Sequence, residues 1–135
     1  MSLFSIFDLV GSAMNAQATR LNVTASNLAN AETVASSPET AYRSREPIFA
    51  TILDQADGAL RGVRVLGITQ SNADVTKRYD PGHPMADAEG FVYGSNVNPI
   101  EEMVNMLSAS RSYQNGIEAL NTSKELLMRT LNLGR

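Results

Sequence analysis

Large apolar residues near the start of the chain fall on a regular beat. Phe7, Met14, Leu21 and Leu28 follow a strict seven-residue repeat. Val10 and Ala31 take the interleaved position, which Gln17 and Thr24 fill less well. Apolar residues alternating three and four apart predict a helix with a coiled-coil-like seam. Many alanines and few β-branched residues favour it, while Gly11 costs roughly 1 kcal/mol relative to alanine. The helix should stop near Glu32, ahead of Ser36-Ser37-Pro38, because proline disfavours helix in the residue before it.

The middle of the chain has a different period. Pro47-Ile48-Phe49-Ala50-Thr51-Ile52-Leu53 is a short apolar run, and Gly62-Val63-Arg64-Val65-Leu66-Gly67-Ile68 partly alternates as a half-buried strand does. Asp57-Gly58 between them is a turn signal. Asp80-Pro81-Gly82-His83-Pro84 excludes regular structure, and Phe91-Val92-Tyr93 is a further strand candidate ending at Gly94. Together these predict a small antiparallel β region.

The last stretch returns to helix. Asn98 or Ser95 is the candidate cap, Pro99 suits the first turn, and Glu101 and Glu102 oppose the positive end of the dipole. From Met103, steps of three and four reach Met106, Ser110, Tyr113, Ile117, Leu120, Lys124, Leu127 and Leu131, and seven of these nine positions are apolar or aromatic. Gly134 stands where a stop belongs. At 1.5 Å per residue the helix is roughly 50 Å long. The expected fold is therefore α+β: long N- and C-terminal helices in a coiled-coil-like pair, with a β-hairpin region between them. Residues 1–32 and 98–135 would form the helical part and 33–97 the central part. Antiparallel pairing of the helices would bury both seams.

Charge changes this picture. Of the 135 residues 19% are charged, below the roughly 25% of typical domains, and the net charge is −3. The deficit is local: Arg20 is the only charged residue from Leu9 to Ala31. A helix facing water normally carries Lys and Glu opposite its apolar stripe. One covered in Ala, Ser, Asn and Thr lets neighbours approach closely, so this helix is expected to sit among other helices in an assembly. The competing reading is an ordinary amphipathic hairpin helix rich in alanine.

Composition also narrows the chemistry. The acidic balance argues against nucleic acid, and no run reaches the roughly 18 apolar residues of a membrane span. The N-terminus lacks a basic region, an apolar core and a cleavage site of the secretory type. The absence of cysteine excludes disulfides, zinc–thiolate sites and thiol nucleophiles. His83 is the only histidine. It lies near Asp80, Asp87 and Glu89, but Asp87-Ala88-Glu89-Gly90 is only a fragment of a calcium loop, so a polar, kinked loop is the expectation. There is no Gly-x-Ser-x-Gly elbow, and Gly58, Gly62 and Gly67 do not make a phosphate loop. Arg43, Arg45, Arg61 and Arg64 are interspersed with acids and read as salt-bridged surface. Met103, Met106 and Met128 fall at core spacing. No catalytic, metal or cofactor site is expected, and no enzyme.

Two motifs then carry a resemblance. Ser12-Ala13-Met14, continuing through Arg20-Leu21-Asn22-Val23-Thr24-Ala25-Ser26-Asn27-Leu28-Ala29-Asn30-Ala31, resembles the opening signature of bacterial flagellar rod and hook axial proteins. Asn96-Val97-Asn98-Pro99-Ile100-Glu101-Glu102-Met103, continuing through Arg111-Ser112-Tyr113-Gln114-Asn115, resembles their closing signature. The short length and the loop from Tyr79 to Val92 are similar to a member from the proximal rod. Thr33-Val34-Ala35-Ser36-Ser37 departs from the family's continuation.

The resemblance implies a structural subunit, exported uncleaved by the flagellar type III apparatus and polymerised into the rod that crosses the periplasm, with the terminal helices as the inner tube. Its implied partners are copies of itself, rod subunits of the FlgB, FlgF and FlgG types, the FliE-type junction protein at the MS ring, and the export apparatus. By position, Asn27, Leu28, Ala29 and Asn30 would pack between subunits against a surface including Met103, Arg111, Tyr113 and Gln114. With the seams, the expected subunit interface comprises Phe7, Val10, Met14, Leu21, Asn27, Leu28 and Asn30, and Ile100, Met103, Leu107, Arg111, Tyr113, Gln114, Ile117, Leu120, Leu127 and Leu131. The alternative function is a small soluble adaptor that docks through a helical hairpin.

Overall fold

The computed structural model describes residues 3–53 and 60–133. Two long helices enclose a β region in sequence. They are α1 (Leu3–Ala29) and α2 (Pro99–Leu133), separated by β1 (Val34–Ala35), β2 (Arg45–Leu53), β3 (Leu60–Gln70), β4 (Thr76–Tyr79) and β5 (Phe91–Gly94). The α+β expectation holds. Asp57-Gly58 and Gly134 lie outside the described residues. Contacts cluster into two units, each taking part of both helices and part of the β region.

The first unit contains residues 1–21, 47–67 and 107–135. Here β2 pairs with β3 in a two-stranded sheet. The stretch between them is too short for a parallel crossover, which needs a dozen residues or more. Ser12 fastens the sheet to α1. Ser12 Oγ donates to the Leu9 carbonyl at 2.8 Å and accepts the Val63 N–H at 3.1 Å. Gly62 must be bare for this, because a Cβ there would stand 2.6 Å from Ser12 Oγ.

In the same unit α2 meets α1 at Gly116, where a Cβ would lie 2.7 Å from Met14 Cγ and 3.8 Å from Val10 Cγ1. Val10 and Met14 thus face the partner helix, as their spacing predicts. The inward face of α2 is shifted from the expected one. Ala109, Tyr113, Gly116, Leu120, Ser123 and Leu127 turn inward, whereas Ile117 and Leu131 are exposed. Half of this seam is small, which is what allows the helices to approach closely. Gln17, the weak position of the α1 seam, leaves its Oε1 buried with no hydrogen-bond partner.

The second unit contains residues 22–46 and 68–106. Its three-stranded sheet has the order β1-β5-β4, antiparallel throughout, with Val34 opposite Gly94 and Tyr79 opposite Phe91. Val92 on the central strand is wholly buried, and Val23, Ala35, Ala41 and Val97 complete the apolar core. Neither β1 nor β4 is visible in the sequence pattern. One is two residues long, and the other, Thr-Lys-Arg-Tyr, is exposed at every position and so has no alternation to read.

The ends of the helices follow their chemistry. Asn98 Oδ1 accepts the N–H groups of Ile100 (3.1 Å) and Glu101 (3.5 Å), so Asn98 is the cap and Pro99 opens the first turn. Ser95, the other candidate, bonds elsewhere, since its buried hydroxyl donates to the Ala31 carbonyl at 2.9 Å and accepts the Val97 N–H. At the end of α1, Asn30 Nδ2 donates to the Ser26 carbonyl at 2.8 Å. The same carbonyl also accepts the Asn30 backbone N–H at 3.2 Å, so the side chain reinforces the last turn.

Candidate assembly surface

The polar loop between β4 and β5 is built on Asp87. Its Oδ1 accepts the Glu89 and Phe91 N–H groups, each at 2.9 Å, and its Oδ2 accepts the Tyr93 hydroxyl at 3.1 Å. The Phe91 hydrogen bond above all, with Tyr93, Glu89 and the charge of Lys77, holds the Asp87 carboxyl below its ordinary pKa. Gly90 closes the loop at φ +83°, against Tyr79 and Pro81.

The neighbours of Asp87 are engaged as well. Asp80 pairs with Arg78 at 3.6 Å, and His83 Nδ1 accepts the Met85 N–H at 3.0 Å. Lys77 Nζ lies 3.9 Å from the Phe91 ring centroid. These groups therefore shape the loop. Among the described residues no three His, Asp or Glu side chains are grouped to hold a metal ion.

The lowered pKa makes a prediction. The ionised carboxylate is bound better in the fold than in the unfolded chain. Its contribution is therefore complete above the ordinary aspartate value of about 3.9 and is lost as pH falls through the lower folded value. Urea unfolding at mildly acidic pH and again below the ordinary aspartate range should show a smaller acid loss for Asp87→Asn than for the parent chain.

The other conspicuous feature is the outward surface of the helices. Among the described side chains of α1, those exposed are Asp8, Gly11, Asn15, Asn22, Ala25 and Ala29. They are three and four apart with one longer step, and after Asp8 none carries charge. On α2 the exposed residues include large apolar ones. Ile100, Met103 and Val104 lie in the second unit and are 75, 56 and 63% exposed; Leu107, Ile117, Leu126, Met128 and Leu131 lie in the first. The β2–β3 sheet is also apolar outside, with Ile48, Phe49, Ile52, Leu53 and Leu66 exposed. A two-stranded sheet is marginal in water by itself.

The expected interface residues divide into three groups. Ile100, Met103, Leu107, Arg111, Gln114, Ile117 and Leu131 are exposed. Phe7, Val10, Met14, Leu21, Leu28, Asn30, Tyr113, Leu120 and Leu127 are half-buried within their own units. Asn27 is 1% exposed and committed inside its unit. Its Oδ1 accepts the Tyr42 hydroxyl at 3.0 Å and the Arg45 N–H at 2.9 Å, while Nδ2 donates to the Arg45 carbonyl at 2.8 Å. Tyr42 also meets Ser26 Oγ at 3.1 Å. The exposed Val104 and Leu126 lie off the stripe counted from Met103, and of the methionines expected at core spacing only Met106 is half-buried, Met103 and Met128 being 56 and 55% exposed.

Known proteins place this arrangement. Residues 8–34 match the family described as flagella basal body rod protein, and residues 88–133 match the flagellar basal body rod FlgEFG protein C-terminal family. The two helical ends thus define a class, the structural proteins of the flagellar basal body.

Full-length relatives narrow the class. The flagellar basal-body rod protein FlgC of Salmonella typhimurium (strain LT2) is 48% identical over 136 residues, all of both chains. That of Escherichia coli O157:H7 is 47% identical over the same span, and that of Bacillus subtilis (strain 168) 35% identical over 150 residues, again all of both chains. The chain belongs to the FlgC family of flagellar basal-body rod proteins. It is a structural subunit of the basal body and not an enzyme, which displaces the adaptor reading. No described helix is long and apolar enough to cross a membrane.

Proposed function

We propose that this rod subunit polymerises through its terminal helices into the proximal, periplasm-crossing part of the drive shaft. The observation that carries the reading is on the helices: the exposed positions of α1 from Gly11 to Ala29 carry no charge, and α2 opens with the exposed apolar Ile100, Met103 and Val104. Helices of a finished monomer carry charge at such positions. A heterologous contact that does not close on itself builds a helical filament, and many dispersed packing contacts suit torque transmission. Copies of the same chain, rod subunits of the FlgB, FlgF and FlgG types and the FliE-type junction protein are the partners. Export runs through the flagellar type III apparatus without cleavage of a leader.

The cysteine-free sequence provides the test. A single cysteine at Ile100 or Leu107 should react readily with a water-soluble maleimide in the free subunit and be protected in isolated basal bodies. Equal labelling in both states would overturn the reading.

A further inference from the structure

Sulfur chemistry in this chain rests on methionine alone, since it has no cysteine. Met85, 43% exposed, belongs to the β4–β5 loop, and the four described methionines of the helices fall into two environments. Met14 lies half-buried on α1, over Gly116 of α2, and Met106 is half-buried. Met103 and Met128 present more than half of their surface, 56 and 55%, on the outward side of α2. Exposed thioethers oxidise first, and the sulfoxide turns a flexible apolar side chain into a polar one.

We propose that Met103 and Met128 are modification sites through which oxidants of the peroxide class keep a subunit out of the rod. The inference rests on the assembly reading above. In the step, a thioether lone pair takes one oxygen from the peroxide O–O bond. Sulfur loses two electrons to become the sulfoxide, and the other peroxide oxygen leaves as water.

The consequence follows from a neighbour. Ile100 lies one turn before Met103 on α2, is exposed like it, and has no hydrogen-bond donor in its side chain. A sulfoxide oxygen pressed into a helix contact there would be desolvated without a partner, which is unfavourable. Leucine in place of either methionine keeps the apolar volume and removes the oxidisable sulfur.

Peptide mass mapping of the free full-length subunit treated with hydrogen peroxide tests the sites. Met103 and Met128 should gain oxygen several-fold faster than Met14 and Met106; equal rates, or Met14 first, would overturn the assignment. Incorporation into basal bodies during peroxide exposure tests the consequence. It should fall for the parent chain and hold for the Met103→Leu/Met128→Leu variant, and an equal response of the two overturns the inference. Ile117→Glu, without peroxide, separates this from the reading beneath it. If Ile117→Glu is excluded from rods while the oxidised parent enters normally, the oxidation inference alone fails; if Ile117→Glu also enters normally, the assembly surface fails with it.

Discussion

Replacing Asn27 with alanine should lower the stability of the folded subunit by about 2–3 kcal/mol, read as the urea midpoint at constant slope. The side chain is 1% exposed, and its carboxamide serves both backbone groups of Arg45, the N–H through Oδ1 and the carbonyl through Nδ2. It thereby acts as a one-residue strand partner at the start of β2, supplied by a helix. Alanine leaves both Arg45 groups without this partner and opens a gap beside Tyr42, whose hydroxyl keeps Ser26. Unsatisfied polar groups shielded from water account for most of the expected loss. Asn27→Asp keeps the two incoming bonds but removes the donor and adds a charge at a buried position, so it should also destabilise. Ser26→Ala is the contrast, because Tyr42 then retains Asn27 Oδ1, and the loss should stay below about 1 kcal/mol. A loss within about 0.5 kcal/mol for Asn27→Ala, the range of ordinary surface substitutions, would show that water replaces the amide without penalty.

Asn27 also marks where reading the sequence stopped short. The opening motif that contains it identified the axial-protein family, yet the motif could not separate a side chain that faces a neighbouring subunit from one holding its own strand. That distinction depends on Tyr42 and Arg45, whose return to α1 no local pattern announces. The β2 and β3 runs were legible because their apolar stretches are long. β4 was not, since a strand exposed at all four positions offers no period. On α2 the existence of the helix and the beat of Tyr113, Leu120 and Leu127 were legible, and its cap was narrowed to Asn98 or Ser95, between which the structure decides for Asn98. Its inward face was misplaced at Ile117, because counting large residues passes over Ala109, Gly116 and Ser123, the small positions that let α1 come near. The polar loop was expected as a kinked structural element, but its centre on Asp87 needed the positions of the Glu89 and Phe91 amides.

Ile117→Glu should abolish incorporation into rods while leaving the free subunit folded. Ile117 is 41% exposed beside the inward-facing Gly116, so the larger residue at this turn of α2 points away from Met14. Glutamate is as good a helix former as most long residues, and the free chain should change in stability by no more than about 0.5 kcal/mol. In a helix-to-helix contact the same carboxylate would be stripped of water with no partner, at a cost of several kcal/mol. About 3 kcal/mol per contact already corresponds to roughly a hundredfold loss of affinity, and a rod repeats the contact at every subunit. Ile117→Leu should assemble normally, which separates charge from shape. Leu28→Glu is the poorer probe, because Leu28 is half-buried in its own unit and would lose stability and assembly together. The measurement is the amount of subunit in isolated basal bodies, set against urea unfolding of the same variant in free form. Parental amounts of Ile117→Glu in rods would remove this part of α2 from the contact. The assembly surface would then have to lie elsewhere, with the exposed Leu53 and Leu66 of the β2–β3 sheet as the next apolar ground.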